Sequence, residues 1–208
     1  MQPFVIALVV LAALLLSPLG RLVIAALFGR SIGQAALASQ PDVIHLQRCE
    51  AASLRNGEKV SALVSDYRKC GFEDAGLYTI PELKNTRVQL LANPKQSMYG
   101  AIYDHPAVGV WCDVVSRYAD GSSWSFSTSR ATGIKPLPNV HMNHLPGTSA
   151  TGLIERARIN RPAVGLKPAS PASAVAEFER AYAEYIAALK QRGISTGEVV
   201  ETAKRKVA

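Results

Sequence analysis

The sequence predicts an α+β protein, in which an N-terminal transmembrane helix precedes one domain with a four- to five-stranded antiparallel sheet flanked by helices. Three observations lead to this fold class. The first 40 residues contain 27 apolar side chains and only two charged ones, Arg21 and Arg30. Segments rich in β-branched and aromatic residues follow over residues 77–128, and residues 148–206 have helical periodicity. The amino-acid composition of the chain excludes a disordered protein, a coiled-coil rod and a disulfide-rich miniprotein.

The apolar leader is long enough to cross a bilayer as one helix. Phe4 to Phe28 supplies 25 residues, and a helix needs about 20 residues to cross the hydrocarbon core. Arg21 lies near one end, where its long side chain can reach the interface. The predicted organisation is an uncleaved signal-anchor over residues 1–30, a juxtamembrane linker over residues 31–41 and a single soluble domain over residues 42–208.

The leader has two other interpretations. Ala36-Leu37-Ala38 resembles a signal-peptidase site, so a cleaved signal peptide would leave Ser39 as the first residue. A core helix of a soluble protein is the second alternative, although such a helix normally shows a polar stripe that this segment lacks. For an anchor, Arg21 and Arg30 follow the apolar run, so the positive-inside rule favours a single-pass cell-membrane protein with a cytoplasmic domain. A periplasmic or extracellular domain remains the alternative.

The cysteine count agrees with a reducing compartment. The chain has three cysteines, Cys49, Cys70 and Cys112. In an exported domain at least one of them would have no disulfide partner within the chain. Cys49 and Cys70 lie in predicted helices and could form a bridge in an oxidising space. Because none of the three lies in a C-x-x-C pair, a zinc ribbon and a thioredoxin-like motif are excluded.

Two helices are predicted before the sheet. Asp42 follows a proline and caps a short helix that reaches Leu54. Asn56 caps the second helix, which ends at Gly71. Glycine suits the left-handed position after a helix, and Phe72 supplies the hydrophobic contact that often follows it.

The sheet is predicted from five segments, separated by turn residues. They are Leu77–Ile80, Thr86–Ala92, Met98–Tyr103, Val108–Tyr118 and Ser122–Thr128. Asp120-Gly121 predicts a two-residue type I′ turn between the last two strands. This turn pairs Arg117 with Trp124 and therefore places the arginine over the indole ring.

The same register assigns the two faces of the hairpin. Trp111, Val115, Trp124 and Phe126 share the face that is expected to pack against helices. The other face carries a row of serines, Ser123, Ser125 and Ser127. We expect this serine face to be half exposed, as the solvent side of an antiparallel sheet or as an interaction surface.

The rest of the chain is predicted to be mostly helical. Residues 131–146 form an irregular loop, a short helix begins at Thr148 or Ser149 and ends at Ile159, and residues 160–172 form an extended linker. Ser170 and Pro171 open a long helix that ends at Gly193. A capping box from Ser195 to Glu198 opens the last helix.

Few residues suggest chemistry. His141 and His144 lie three residues apart in the predicted loop, and His105 could join them as a metal ligand. A structural zinc site needs four ligands, so this signal is weak. No G-x-S-x-G, phosphate-binding or dinucleotide-binding motif is present. The sequence therefore assigns no catalytic residue, no cofactor-binding residue and no cofactor.

The basic side chains suggest contact with a membrane surface. The candidates are Arg21, Arg30, Lys204, Arg205 and Lys206, each able to attract anionic headgroups. Nucleic acid is not a predicted partner, because the aromatic residues lie mainly in the predicted sheet and the positive charge mainly in the C-terminal helices.

The sequence as a whole predicts a membrane-tethered, non-enzymatic binding or accessory domain. Its expected partners are the lipid bilayer and an unidentified protein. The alternative is a membrane-anchored hydrolase or metal-dependent enzyme that uses His105, His141 and His144. That alternative requires the three histidines to converge with a carboxylate in one concave site.

Overall fold

The computed structural model describes residues 17–83 and 86–207. These residues form five α-helices and one seven-stranded mixed sheet, which confirms the α+β class. The chain divides into two compact units. The leader unit comprises Met1–Gln40, Ala131–Lys135 and Ile186–Ala208, and the sheet unit comprises Pro41–Arg130 and Pro136–Tyr185.

The elements have the following bounds. The helices are α1 (Pro18–Ala38), α2 (Gly57–Lys69), α3 (Ala150–Asn160), α4 (Ala174–Arg192) and α5 (Thr196–Val207). The strands are β1 (Gln47–Arg48), β2 (Glu73–Ile80), β3 (Thr86–Asn93), β4 (Met98–His105), β5 (Gly109–Arg117), β6 (Ser123–Ser127) and β7 (Val140–His144). Short 3-10 helices occur at Ala51–Ser53 and Pro171–Ser173.

The sheet is larger than predicted and it is mixed. Its strands follow one another in chain order, and all neighbours are antiparallel except β6 and β7, which are parallel. The five predicted strands correspond to β2–β6, so the prediction of four or five antiparallel strands is wrong at both edges. Strand β1 has only two residues. Strand β7 lies within residues 131–146, predicted as a loop because prolines precede and follow a segment with two histidines and one asparagine.

The β5–β6 hairpin differs from the prediction by one residue. Its turn has three residues, because Gly121 N donates to Tyr118 O (3.1 Å) and Tyr118 N donates to Ser122 O (3.0 Å). Within this turn, Gly121 alone has a positive φ, +83°, as in a type I turn followed by a left-handed residue.

This shift of one residue moves every side chain of β6 to the opposite face. Trp124 now pairs with Ser116 rather than Arg117, and Phe126 pairs with Val114 rather than Val115. The predicted shared face and the predicted contact of Arg117 with Trp124 are therefore wrong. The serine row is also not half exposed: Ser123, Ser125 and Ser127 are buried.

Helices cover both faces of the sheet. Helices α2 and α3 pack on one face, where the fully buried Tyr67 and Leu153 join the core formed by Ile102, Val114 and Phe126. The first part of α4 packs on the other face, in a cluster that includes Ile44, Val88, Ala101, Val175 and Phe178. This arrangement leaves the β5–β7 end of the second face as the floor of a cleft.

The helix signals before the sheet are only partly correct. Helix α2 ends as predicted, since Gly71 has a φ of +84° and Phe72 N donates to Tyr67 O. Residues 42–54 do not form the predicted helix, because β1 instead pairs with β2. Asn56 precedes α2 but makes no side-chain cap; its Nδ2 donates to the carboxylate of Asp104 at 2.7 Å.

The signals near the C-terminus are confirmed. Ser170 Oγ accepts from Ser173 N in the 3-10 helix that leads into α4. Gly193 follows α4 with a φ of +75°. In the capping box, Ser195 N donates to Glu198 Oε2 (2.9 Å) and Glu198 N donates to Ser195 Oγ (3.3 Å).

Helix α1 carries the described part of the apolar leader. It begins at Pro18, because Ser17 has an extended backbone (φ −66°, ψ 158°) and its Oγ accepts from Gly20 N at 3.0 Å. The predicted span from Phe4 to Phe28 therefore contains a helix start at Pro18, and residues 1–16 lie outside the described residues. By length and composition, Gly20–Ala38 could cross a membrane, but a signal sequence and the core helix of a soluble protein meet the same criteria.

Candidate functional site

Three adjacent strands of the sheet unit form the floor of a cleft. Their register gives three rows on one face: Arg117 with Ser123 and Val140, Val115 with Ser125 and Met142, and Asp113 with Ser127 and His144. Successive rows are about 7 Å apart, because residues two apart on a strand share a face. The first two rows line the cleft, and the Asp113 row lies on the same face of the sheet, beside the cleft.

Helix α4 and Tyr103 form the wall of this cleft. The enclosed volume is about 250 Å³, and Phe178, Ala181, Tyr182 and Tyr185 contribute its helical side. Trp111 stacks on Tyr103 with ring centroids 4.6 Å apart and planes at 9°. An apolar wall with a few polar groups on the floor is the usual composition of a small-molecule site, although this volume is below the usual range of about 300–1,000 Å³.

The guanidinium of Arg117 closes one end of the cleft. Its Nε lies 3.3 Å from Glu177 Oε1, and both side chains are only 19% exposed. Arg180 also pairs with Glu177 and with Glu184, each at 2.6 Å. Burial lowers the pKa of Arg117, and the ion pair with Glu177 keeps its charge compensated. This end of the cleft is therefore electrostatically satisfied.

The carboxyl group of Asp113 is not satisfied in the same way. Burial raises the pKa of Asp113 from 3.8 to about 6, although the hydroxyl groups of Ser127 and Tyr103 favour its charged form. Among the described residues, its buried Oδ1 has no hydrogen-bond partner. A buried acceptor without a donor is costly, so this carboxyl group beside the cleft can accept a further hydrogen bond.

A chain of hydrogen bonds continues from Ser127 toward β7. Ser127 Oγ lies 2.7 Å from Ser129 Oγ, and Ser129 Oγ lies 3.4 Å from His144 Nδ1. The same Nδ1 lies 3.1 Å from the carbonyl oxygen of Ser129. The histidine is thus held against the backbone of the segment that follows β6.

The structure does not bring the three candidate histidines together. His144 lies on the same face of the sheet as the cleft, beside its lining, whereas His141 lies on the opposite face and stacks on Trp124 at 4.5 Å. His105 ends β4, where its Nδ1 accepts from Ala107 N and Val108 N. Within residues 17–83 and 86–207, no group of three or more His, Cys, Asp or Glu side chains could hold a metal ion.

Sequence reasoning missed Asp113, Ser127 and Ser129 as members of one site. The spacing Ser123-x-Ser125-x-Ser127 was a usable signal, because alternate positions of a strand share a face. The residues of β5 and β7 that pair with these serines could not be assigned, because the predicted hairpin register was wrong by one residue and β7 was not predicted.

The basic candidates all belong to the leader unit. Arg21 and Arg30 are exposed on α1, and Lys204 and Arg205 are exposed on α5. Arg205 Nε pairs with Glu201 at 3.0 Å. The side chain of Lys206 lies outside the described part of the chain.

No protein-family model, curated protein or solved structure matches this chain.

Proposed function

We propose that the protein is a membrane-tethered binding domain without catalytic activity, and that its ligand occupies the cleft between α4 and strands β5–β7. The observation that carries this proposal is the cleft itself, with aromatic and aliphatic walls above a polar row of buried serines. Its size suits a small molecule with an aromatic or aliphatic body.

The unpaired Oδ1 of Asp113 narrows the ligand class. This buried atom lies one row beyond Val115, beside the cleft and close to the Tyr103–Trp111 stack, so a ligand reaches it only from the adjoining end of the cleft. A carboxyl group among aromatic rings favours a ligand with an N–H or O–H donor, and a cationic amine would also interact with the ring faces. The proposed ligand is therefore a small aromatic or aliphatic amine.

Fluorine NMR with 4-fluorophenethylamine tests the site. Ala181 lines the cleft, whereas Ala176 is exposed on the same helix. We expect the full chain and its Ala176→Phe variant to broaden the fluorine signal, and Ala181→Phe to abolish the broadening because the new ring fills the cleft. Equal broadening by both variants, or none by the unmodified protein, would contradict the proposal.

The membrane attachment and the side of the membrane form part of the same proposal. The apolar leader holds the protein at the membrane, and the sheet unit faces the cytoplasm. This side is supported by Arg21 and Arg30 after the apolar run and by the three cysteines, which are free thiols.

Labelling with a membrane-impermeant maleimide tests the side of the membrane. Cys49 and Cys70 are partly exposed and Cys112 is buried, so the first two report on access. We expect labelling in lysed cells and none in intact cells. Labelling in intact cells would place the sheet unit outside.

The enzyme alternative has one contact in its favour, the 3.4 Å between Ser129 Oγ and His144 Nδ1. A hydrolase would use Ser129 as nucleophile and His144 as base, which requires an unprotonated Nδ1 and therefore loss of its contact with the Ser129 carbonyl oxygen. A fluorophosphonate would then label the protein: Ser129 Oγ bonds to phosphorus, fluoride leaves and His144 takes the proton. Labelling that Ser129→Ala abolishes and Ser122→Ala preserves would support this alternative. An unlabelled protein would contradict it.

A further inference from the structure

One side of helix α1 is a seam of small residues that α5 covers. Ala25, Gly29, Gly33 and Leu37 lie four residues apart, and all four are buried. A Cβ at Gly29 would lie 2.8 Å from Thr196 Cγ2, and a Cβ at Gly33 would lie 3.0 Å from Ile194 Cβ. The two glycines therefore allow a close approach that no larger side chain permits.

Helix α5 runs antiparallel to α1. The Nζ of Lys190 donates to Gln40 O, Ile194 lies at Gly33 and Thr196 lies at Gly29. The C-terminal chain thus moves toward the start of α1 as its numbering increases. Helix α5 continues in this direction and brings five charged residues along α1: Glu198, Glu201, Lys204, Arg205 and Lys206.

The opposite side of α1 is exposed and mostly apolar, although Ser31 and Gln34 are also exposed on it. Leu27 is 72% exposed and Phe28 is 59% exposed, and at 100° per residue both lie about 120–140° from the centre of the seam. Arg21 and Arg30 are nine residues apart, which is two and a half turns. The two arginines therefore lie on opposite flanks of the apolar face.

A transmembrane orientation of α1 conflicts with these charges. If Gly20–Ala38 crossed the bilayer, Arg30 would lie about 15 Å from Gly20, near the middle of the hydrocarbon core. The charged α5 would enter the same core alongside α1. Both placements are energetically costly, because ionised side chains inside a bilayer lose their hydration.

We infer that α1 lies flat in the membrane interface, with its apolar face in a phospholipid bilayer, Arg21 and Arg30 reaching the phosphates on either side, and α5 on the aqueous side. An interfacial helix combines an apolar face with a charged face, and here α5, which covers the glycine seam, supplies the charged face. Ser17 has an extended backbone, so α1 begins at Pro18. This inference rests on the membrane attachment in the proposed function and specifies its geometry.

Depth-dependent quenching of tryptophan fluorescence tests this orientation. Ile24, Phe28 and Ala35 lie within about 40° of one another on the apolar side. The variants are Ile24→Trp, Phe28→Trp and Ala35→Trp in the full chain, with Glu201→Trp on α5 as control. Vesicles contain equal amounts of phosphatidylcholine and phosphatidylglycerol, with bromine either near the headgroup or near the chain end. The unmodified protein supplies the background from Trp111 and Trp124.

An interfacial α1 places all three tryptophans at about 5–10 Å below the headgroups and leaves the Glu201→Trp control unquenched. A depth that changes steadily by about 16 Å from residue 24 to residue 35 would overturn the inference and leave the tether intact. Protein that sediments with vesicles but shows no quenching at these positions would also overturn it. Protein that does not sediment with vesicles would refute both the inference and the proposed membrane attachment.

Discussion

Replacing Asp113 by asparagine should change how the stability of the protein depends on pH. Burial raises the pKa of this carboxyl group from 3.8 to about 6 in the folded protein. At 1.36 kcal/mol per pKa unit, the difference corresponds to about 3 kcal/mol. Because the folded pKa is the higher one, the folded state binds the proton more tightly. The stabilising contribution is therefore complete below pH 4 and is lost as the pH rises through 6.

Urea unfolding followed by tryptophan fluorescence measures this effect, because Trp111 lies on β5, the strand of Asp113, and Trp124 lies on the neighbouring strand β6. Between pH 4 and pH 8, the free energy of unfolding of the unmodified protein should fall by about 3 kcal/mol relative to Asp113→Asn. Any pH-independent effect of the new amide cancels in this comparison.

The matched control is Asp120→Asn at the exposed hairpin turn. The side chain and backbone N–H of Ser122 lower the pKa of Asp120, so its contribution is lost as the pH falls rather than as it rises. If the unmodified protein and Asp113→Asn keep a constant difference in stability from pH 4 to pH 8, the assigned environment of Asp113 is incorrect.

Three further substitutions test the packing of the chain. Burial opposes ionisation of Asp104, but donors from Asn56 and Arg55 outweigh it and lower its pKa. Asp104→Ala should therefore cost about 3 kcal/mol in urea unfolding near neutral pH, and less as the pH falls below the ordinary carboxyl pKa. In Gly100→Ala, a Cβ would lie 2.5 Å from Tyr67 Cε1; we expect a loss of about 1–3 kcal/mol, whereas Gly57→Ala, with 3.9 Å of clearance, should cost nothing. Burial also opposes ionisation of Glu198, but hydrogen bonds from Ser195 and Lys135 N and the charge of Arg192 lower its pKa to about 2; Glu198→Gln should speed amide hydrogen exchange in α5 at pH 7, and the difference should shrink below pH 4.5. A variant with the same stability or exchange rate as the unmodified protein, or Gly100→Ala with the same stability as Gly57→Ala, would contradict the corresponding contact.

Local signals predicted most of the sheet and the C-terminal caps. Strands β2–β6 were found because their apolar residues recur between turn residues. The capping box at Ser195 and the left-handed residue Gly193 depend on hydrogen bonds within a few residues. Such features are encoded over short distances, so no knowledge of the tertiary fold is needed to predict them.

The candidate site could not be predicted because it depends on pairing between strands. The turn at Asp120-Gly121 has one residue more than predicted. The side chains of β6 that share a face with Val115 are therefore the opposite set from the predicted one. Strand β7 pairs in parallel with β6 after an irregular connection, and its five residues include only two apolar side chains between proline-containing segments, so the strand signal is weak. His144 was therefore identified as a candidate without its neighbours Ser127 and Ser129.

The apolar leader shows a related limit. Hydropathy adds the contributions of Leu27 and Gly29 along the chain, although one side chain is exposed and the other position is in contact with Thr196. A window of residues therefore has the same score whether its apolar side chains surround the helix or occupy one side of it. Only the helix that packs against α1 shows which of these two arrangements is present. Because a charged helix covers the glycine seam, the length of the apolar run no longer decides whether α1 crosses the bilayer, and the positions of Arg21 and Arg30 around the helix become the stronger evidence.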